Sequence, residues 1–69
     1  MNYKLKVDTC NIDKVVLKLS EQGEDVTIRN VLRSTGIIYI KTKFINEVKL
    51  INEIVNIERE RFFPQLLLF

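Results

Sequence analysis

The chain contains no histidine, no tryptophan and no alanine, and its 69 residues include only one cysteine, one proline and two glycines. Each shortage closes off a class of chemistry. Without an imidazole, neither a serine–histidine–acid triad nor a histidine-containing zinc site can be assembled, and no paired acids stand in a recognisable general acid–base setting. The single thiol, Cys10, excludes an internal disulfide. Gly23 and Gly36 are isolated, so there is no glycine-rich loop to cradle a phosphate. No apolar run approaches the roughly 18–20 residues of a membrane span, and Met1-Asn2-Tyr3-Lys4 lacks the apolar stretch of a signal peptide. The expectation is a non-enzymatic protein with no metal or cofactor, in a reduced, cytoplasmic setting.

What is present is the composition of a globular domain, with 46% hydrophobic and 29% charged residues. The net charge of +2 is small, and lysines and glutamates alternate along the chain. Proteins that bind nucleic acid usually concentrate basic charge, so the balance argues against such a partner. Size adds a second constraint. Below about 70–80 residues a single core rarely supplies more than roughly 3–5 kcal/mol, and such domains usually add a staple or a partner. With no staple available, a protein partner or self-association is expected.

Periodicity orders the elements. Tyr3, Leu5 and Val7 alternate with Lys4 and Lys6, the period of a half-buried strand. Asp8-Thr9-Cys10-Asn11 is a polar break with capping residues, after which Ile12, Val15, Val16 and Leu19 follow amphipathic helical spacing and Gly23 stands as the stop. Cys10, at the start of this helix, reads as a small buried or half-buried thiol. Val26 and Ile28 open a second strand whose phase slips where Val31 and Leu32 adjoin, the mark of a bulge or of the end of pairing. Ser34-Thr35-Gly36 makes a turn into the β-branched run Ile37-Ile38-Tyr39-Ile40, completing a hairpin. Asn46 is placed to cap a second helix carrying Val48, Ile51 and Ile54, and Val55-Asn56-Ile57 restarts a strand. The order βαββαβ predicts an α+β, ferredoxin-like fold, a four-stranded antiparallel sheet with two helices on one face. Metal-transport domains of this shape need two cysteines in one loop, which this chain does not have. RNA-recognition modules share the element order, but Tyr39 alone fits their third-strand motif, and Ile37 stands where the first aromatic belongs.

Two helices cover one side of a sheet, so the other side carries whatever function there is. The outward set is polar on strands one, two and four: Lys4, Lys6, Thr27, Arg29, Asn56 and Glu58. Strand three is the exception. If Ile38 and Ile40 point inward, Ile37 and Tyr39 lie on the open surface, either as the ordinary exposure of two residues or as an apolar contact patch for another protein. In strand four, Val55 and Ile57 are expected to face the core. The next residues in that phase are Arg59 and Arg61, whose burial would be costly, so the chain is expected to leave the core near Glu58. The organisation is then a domain over residues 1–61 and an apolar tail over residues 62–69, ending Pro64-Gln65-Leu66-Leu67-Leu68-Phe69, the alternative being that Leu66 to Phe69 fold back as an edge strand or pack in a dimer.

From Gly23 onward the chain resembles the propeptides of subtilisin-like serine proteases and their stand-alone inhibitor relatives. The resemblance rests on Gly23-Glu24-Asp25-Val26, on the hairpin ending Gly36-Ile37-Ile38-Tyr39-Ile40, and on a second helix, Asn46 to Ile54, running into Val55-Asn56-Ile57-Glu58-Arg59-Glu60. It implies that the open sheet face, with Ile37 and Tyr39, sits on two helices of a protease, and that Glu58 and Glu60 cap their N-termini. Carboxylates are favoured at the positive ends of helices. It also implies that the tail lies in the substrate groove as an added strand. Phe69 with Leu66, or Leu66 with Phe63, matches that family's preference for large apolar side chains in the primary pocket and three residues upstream, while Leu67 and Leu68 lie between. Nine residues follow Glu60, more than the family's usual tail. Because the chain opens on Met1 and no protease domain follows, a free-standing inhibitor or assembly protein is expected rather than a cleaved prodomain. The alternative is a small structural or oligomerising protein, in which the tail and the strand-three face bury against copies of the chain or in a larger assembly.

Overall fold

The computed structural model describes residues 1–60. In chain order the elements are β1 (Asn2–Val7), α1 (Ile12–Ser20), β2 (Val26–Leu32), β3 (Ile37–Thr42), α2 (Ile45–Val48) and β4 (Ile54–Arg59), with 3-10 turns at Thr9–Asn11 and Gly23–Asp25. The strands form one sheet in the order β2-β3-β1-β4, and every neighbouring pair is antiparallel. β1 and β2 both oppose β3 and therefore run parallel to each other. Parallel strands cannot be joined by a tight turn, and α1 supplies the crossover. The same logic relates β3 and β4 across β1, with α2 between them. This is the expected α+β, ferredoxin-like arrangement.

The period-2 and helical patterns meet in one apolar layer. Leu5 and Val7 from β1, Ile38 and Ile40 from β3, and Val26 from β2 are buried against Ile12, Val15 and Leu19 of α1. Val48 and Ile51 close the other end. Burying a large aliphatic side chain contributes about 1.5–3 kcal/mol, so the central strands anchor the fold. One polar group shares this layer. Thr42 is buried, and its hydroxyl donates to the Asp25 carbonyl at 2.6 Å while accepting from the Phe44 N–H at 2.9 Å. A buried hydroxyl without partners is costly, and here both roles are filled. The bonds tie the end of β3 to the turn before β2 and to the start of α2.

Several details depart from expectation. Neither Asp8 nor Asn11 makes a side-chain cap; a 3-10 turn over Thr9–Asn11 leads into α1 instead, and Cys10 on that turn is exposed rather than buried. α1 ends at Ser20, and Gly23 adopts φ +66 in the following turn. The break in β2 falls at Arg29, since Ile28 pairs with Ile40 but Asn30 with Tyr39. This two-against-one bulge turns Val31, not Asn30, toward the core beside Ile38. The second helix is a single turn beginning after Phe44, not a run from Asn46 to Ile54. Its sequence, rich in Ile, Val and Asn, has weak helix propensity, so packing of Val48 and Ile51 sets its length. In β4 a register shift between Lys6 and Val7 places Ile54 opposite Val7, so Ile54 packs on the core and Val55 is 63% exposed. Val55 does not face the core, whereas Ile57 packs against it as expected.

Two glycines with positive φ separate two costs. Gly23 has nothing within reach of an added Cβ, whereas at Gly36 (φ +73) a Cβ would overlap the Val7 carbonyl. That close approach exists because the Gly36 carbonyl accepts the Val7 N–H at 2.7 Å, joining the hairpin end to β1. Gly23→Ala is expected to cost about 1 kcal/mol from φ alone, and Gly36→Ala roughly 3 kcal/mol because the steric conflict adds to it. Urea unfolding of the two variants compares them, and equal losses would refute the contact. A second expectation concerns pH. Lys18 on α1 donates to Glu53 at 2.8 Å, and this hydrogen bond holds the Glu53 carboxyl below its ordinary value. A lowered folded-state value favours the folded form above the ordinary carboxylate pKa of about 4.3, and the advantage fades as pH falls through the lowered value. Glu53→Gln is therefore expected to flatten the stability profile in the acid range, read by thermal melts between neutral and acid pH.

Candidate functional site

The face of the sheet opposite the helices is assembled by cross-strand pairing. One row reads Glu58–Lys4–Tyr39–Asn30 from β4 to β2, and the next reads Asn56–Lys6–Ile37–Leu32. A third joins Asn2, Lys41 and Thr27. The alternation that buries Ile38 and Ile40 completely leaves Ile37 and Tyr39 half-exposed at the centre of this face. Leu32 at the hairpin end is 37% exposed and lies directly opposite Ile37. Leu32, Ile37 and Tyr39 thus form an apolar strip on β2 and β3, with Lys4 and Lys6 beside it on β1 and Lys41 one step along β3.

The two carboxylates differ in their surroundings. Glu58 is exposed and stands opposite Lys4, with the Asn56 amide 3.4 Å from its Oε2. Glu60 follows β4, and its N–H donates to the Asn2 carbonyl at 2.8 Å, so pairing with β1 continues one residue past the strand. Its Oε1 accepts from Arg29 Nη1 at 2.7 Å. Arg29 belongs to β2 and Glu60 to the end of β4, the two edges of the sheet, so the ion pair reaches over the intervening strands. Arg29 points outward by the alternation that turns Ile28 to the core, and the bulge places Asn30 on the same face. From sequence, Arg29 reads only as an outward polar residue. Glu60 lies 31 residues further along the chain, on the opposite edge of the sheet, and no local pattern encodes that pairing.

Three lysines and Glu58 remain after Arg29 and Glu60 neutralise each other, which leaves the face cationic. At one end it opens into a depression of about 350 Å³ lined by Met1, Thr27, Lys41 and Phe44, with Glu24 and Lys43 among its other walls. Of the residues singled out by sequence, Ile37, Tyr39, Glu58 and Glu60 share this face; Phe63, Leu66, Leu67, Leu68 and Phe69 lie outside the described residues. Among the described residues no cluster of three or more acidic, cysteine or histidine side chains could hold a metal ion, and no helix is long and apolar enough to cross a membrane. No family model, curated protein or solved structure matches the chain.

Exposed ion pairs contribute about 0–1 kcal/mol because solvent and salt screen them. With its side chains 43% and 33% exposed, the Arg29–Glu60 pair belongs in that class. A double-mutant cycle on Arg29→Ala and Glu60→Ala is expected to give a coupling below about 1 kcal/mol that vanishes in molar salt. A coupling that survives molar salt would mean the pair is a structural tie rather than a surface contact.

Proposed function

We propose that this chain is a non-enzymatic protein-binding module that inhibits or chaperones a subtilisin-like serine protease. The open sheet face docks on the enzyme and the C-terminal segment occupies its substrate groove. One observation supports the reading above others. A sheet whose inner face is buried at its centre, at Leu5, Val7, Ile38 and Ile40, carries half-exposed Ile37 and Tyr39 at the middle of its outer face, bordered by Glu58. Apolar side chains at the centre of a polar surface are the usual composition of a contact patch. Glu58 is the carboxylate suited to capping a partner's helix N-terminus. Glu60 would have to exchange its contact with Arg29 to do the same. In the groove, Leu66 and Phe69, or Phe63 and Leu66, fill the two apolar pockets, and Leu67 and Leu68 lie between them or beyond.

A second reading has its own support. Both edge strands, β2 and β4, lack a neighbour on their outer side among the described residues, and β4 carries exposed Val55. Unpaired edges invite pairing with another chain. On this reading the tail and the face of β3 bury in an assembly of copies or with another protein.

Titrating a general subtilisin with the purified chain separates the two. Inhibition at micromolar concentration is expected, lost on deletion of Leu66 to Phe69 while the shortened chain stays a folded monomer. Absence of inhibition, with a particle mass by light scattering that falls on the same deletion, would replace the protease reading with the assembly reading.

A further inference from the structure

We infer that the open face takes a protein surface of one particular chemistry, in which carboxylates alternate with apolar side chains. The inference rests on the reading that this face docks protein, not on the identity of the enzyme. Three observations lead to it. The apolar strip of Leu32, Ile37 and Tyr39 is continuous, because Leu32 pairs with Ile37 and Tyr39 follows two residues later on the same face of β3. Lys6 pairs with Ile37 and Lys4 with Tyr39, so each outward apolar residue on β3 has a lysine opposite it in the neighbouring strand, the Lys6 ammonium group reaching the Thr35 carbonyl at 3.4 Å. Lys41 continues the β3 column, opposite the uncharged Asn2 and Thr27. Meanwhile Arg29, the guanidinium that β2 adds to this face, is satisfied within the chain by Glu60.

The resulting pattern is a stripe of apolar contact flanked by a line of cations. A complementary surface places apolar side chains over the stripe and carboxylates over the line, and such matching sets orientation and association rate. Nucleic acid is the other polyanion to weigh. It fits less well, because Glu58 on the β4 border of the face would repel a phosphate backbone. The aromatic platform is also a single ring, with Lys4 where a second stacking residue would sit. The sidedness of charge therefore favours an acidic protein surface. This also alters what the resemblance to propeptides would suggest. The centre of the face attracts carboxylates, and only its β4 border offers them.

The test uses the full chain, isotope-labelled for amide spectra, and three probes. The first is a synthetic helical peptide with leucines at helical spacing and glutamates elsewhere. The second carries lysines in place of the glutamates, and the third is single-stranded oligothymidylate. The acidic peptide is expected to shift the amides of Lys4, Lys6, Ile37, Tyr39 and Lys41, and to weaken with added salt. Lys6→Glu with Lys41→Glu is expected to lower its affinity about tenfold or more. Lys4 is left in place because a glutamate there would face Glu58 directly and repel it in the fold. Tyr39→Ser supplies a variant of unchanged charge and is expected to weaken the same peptide. Tighter binding of the lysine peptide or of the oligonucleotide would overturn the inference. If no probe moves the open-face amides, the docking role of the face falls with it, while inhibition of a protease through the tail would be judged by its own titration.

Discussion

The constraint on which the rest depends is the seating of β1 between β3 and β4. β1 carries core residues Leu5 and Val7 on one side and Lys4 and Lys6 on the other. Its hydrogen bonds hold together two halves of the chain that are distant in sequence. The Val7 N–H meets the Gly36 carbonyl at one end, and the Glu60 N–H and Thr42 N–H meet the Asn2 and Met1 carbonyls at the other. Each of these bonds contributes only about 1 kcal/mol net. Losing register would cost far more, because a one-residue slip would carry Leu5 and Val7 out to solvent and the lysines into the core. The sidedness of β1 therefore orients the whole sheet, and with it the composition of the exposed face.

Two bulges refine that orientation. At Arg29 the extra residue lets Val31 rejoin the core layer after Ile28 and leaves Asn30 on the open face beside Arg29. At Val55 it brings Ile54 under Val7 and leaves the valine exposed. Both lie on edge strands, where an extra residue is accommodated without breaking pairing on a second side.

These features mark the limit of what local pattern reveals. The alternation of Tyr3, Leu5 and Val7, the spacing of Ile12, Val15 and Leu19, and the run Ile37-Ile38-Tyr39-Ile40 each bury many atoms through a regular period, so element order and sheet face are legible in the sequence. The placement of Ile37 and Tyr39 on the open side follows directly. The start of β4 is not legible in the same way, since the contiguous apolar residues Ile54 and Val55 fit either phase and the partner strand decides between them. The length of α2 is hidden because Val48 and Ile51 satisfy helical spacing and equally suit a single turn followed by a loop. The exposure of Cys10 follows from a 3-10 turn closed by a backbone bond from the Asn11 N–H to the Asp8 carbonyl, with no side-chain cap to pull the thiol inward. Thr42 sends no signal of its own because its hydroxyl joins Phe44 to the Asp25 carbonyl, 17 residues earlier than Thr42, and no spacing encodes that link.

The face and the core also compete for the same strand. β3 is a central strand, and its β-branched and aromatic residues favour a pleated, half-buried surface whichever side they point to. Ile37 and Tyr39 therefore support strand formation as well as any contact they make. Two lysines packed alongside can lay their methylene stems over these residues and keep the ammonium groups in water. A partner that lifts those stems exposes apolar surface and covers it again with its own. The same side chains thus keep the isolated face compatible with water. Lys4 has Glu58 opposite it in β4, and the Lys6 ammonium group donates to the Thr35 carbonyl at 3.4 Å, so each lysine has a claim on it from within the chain.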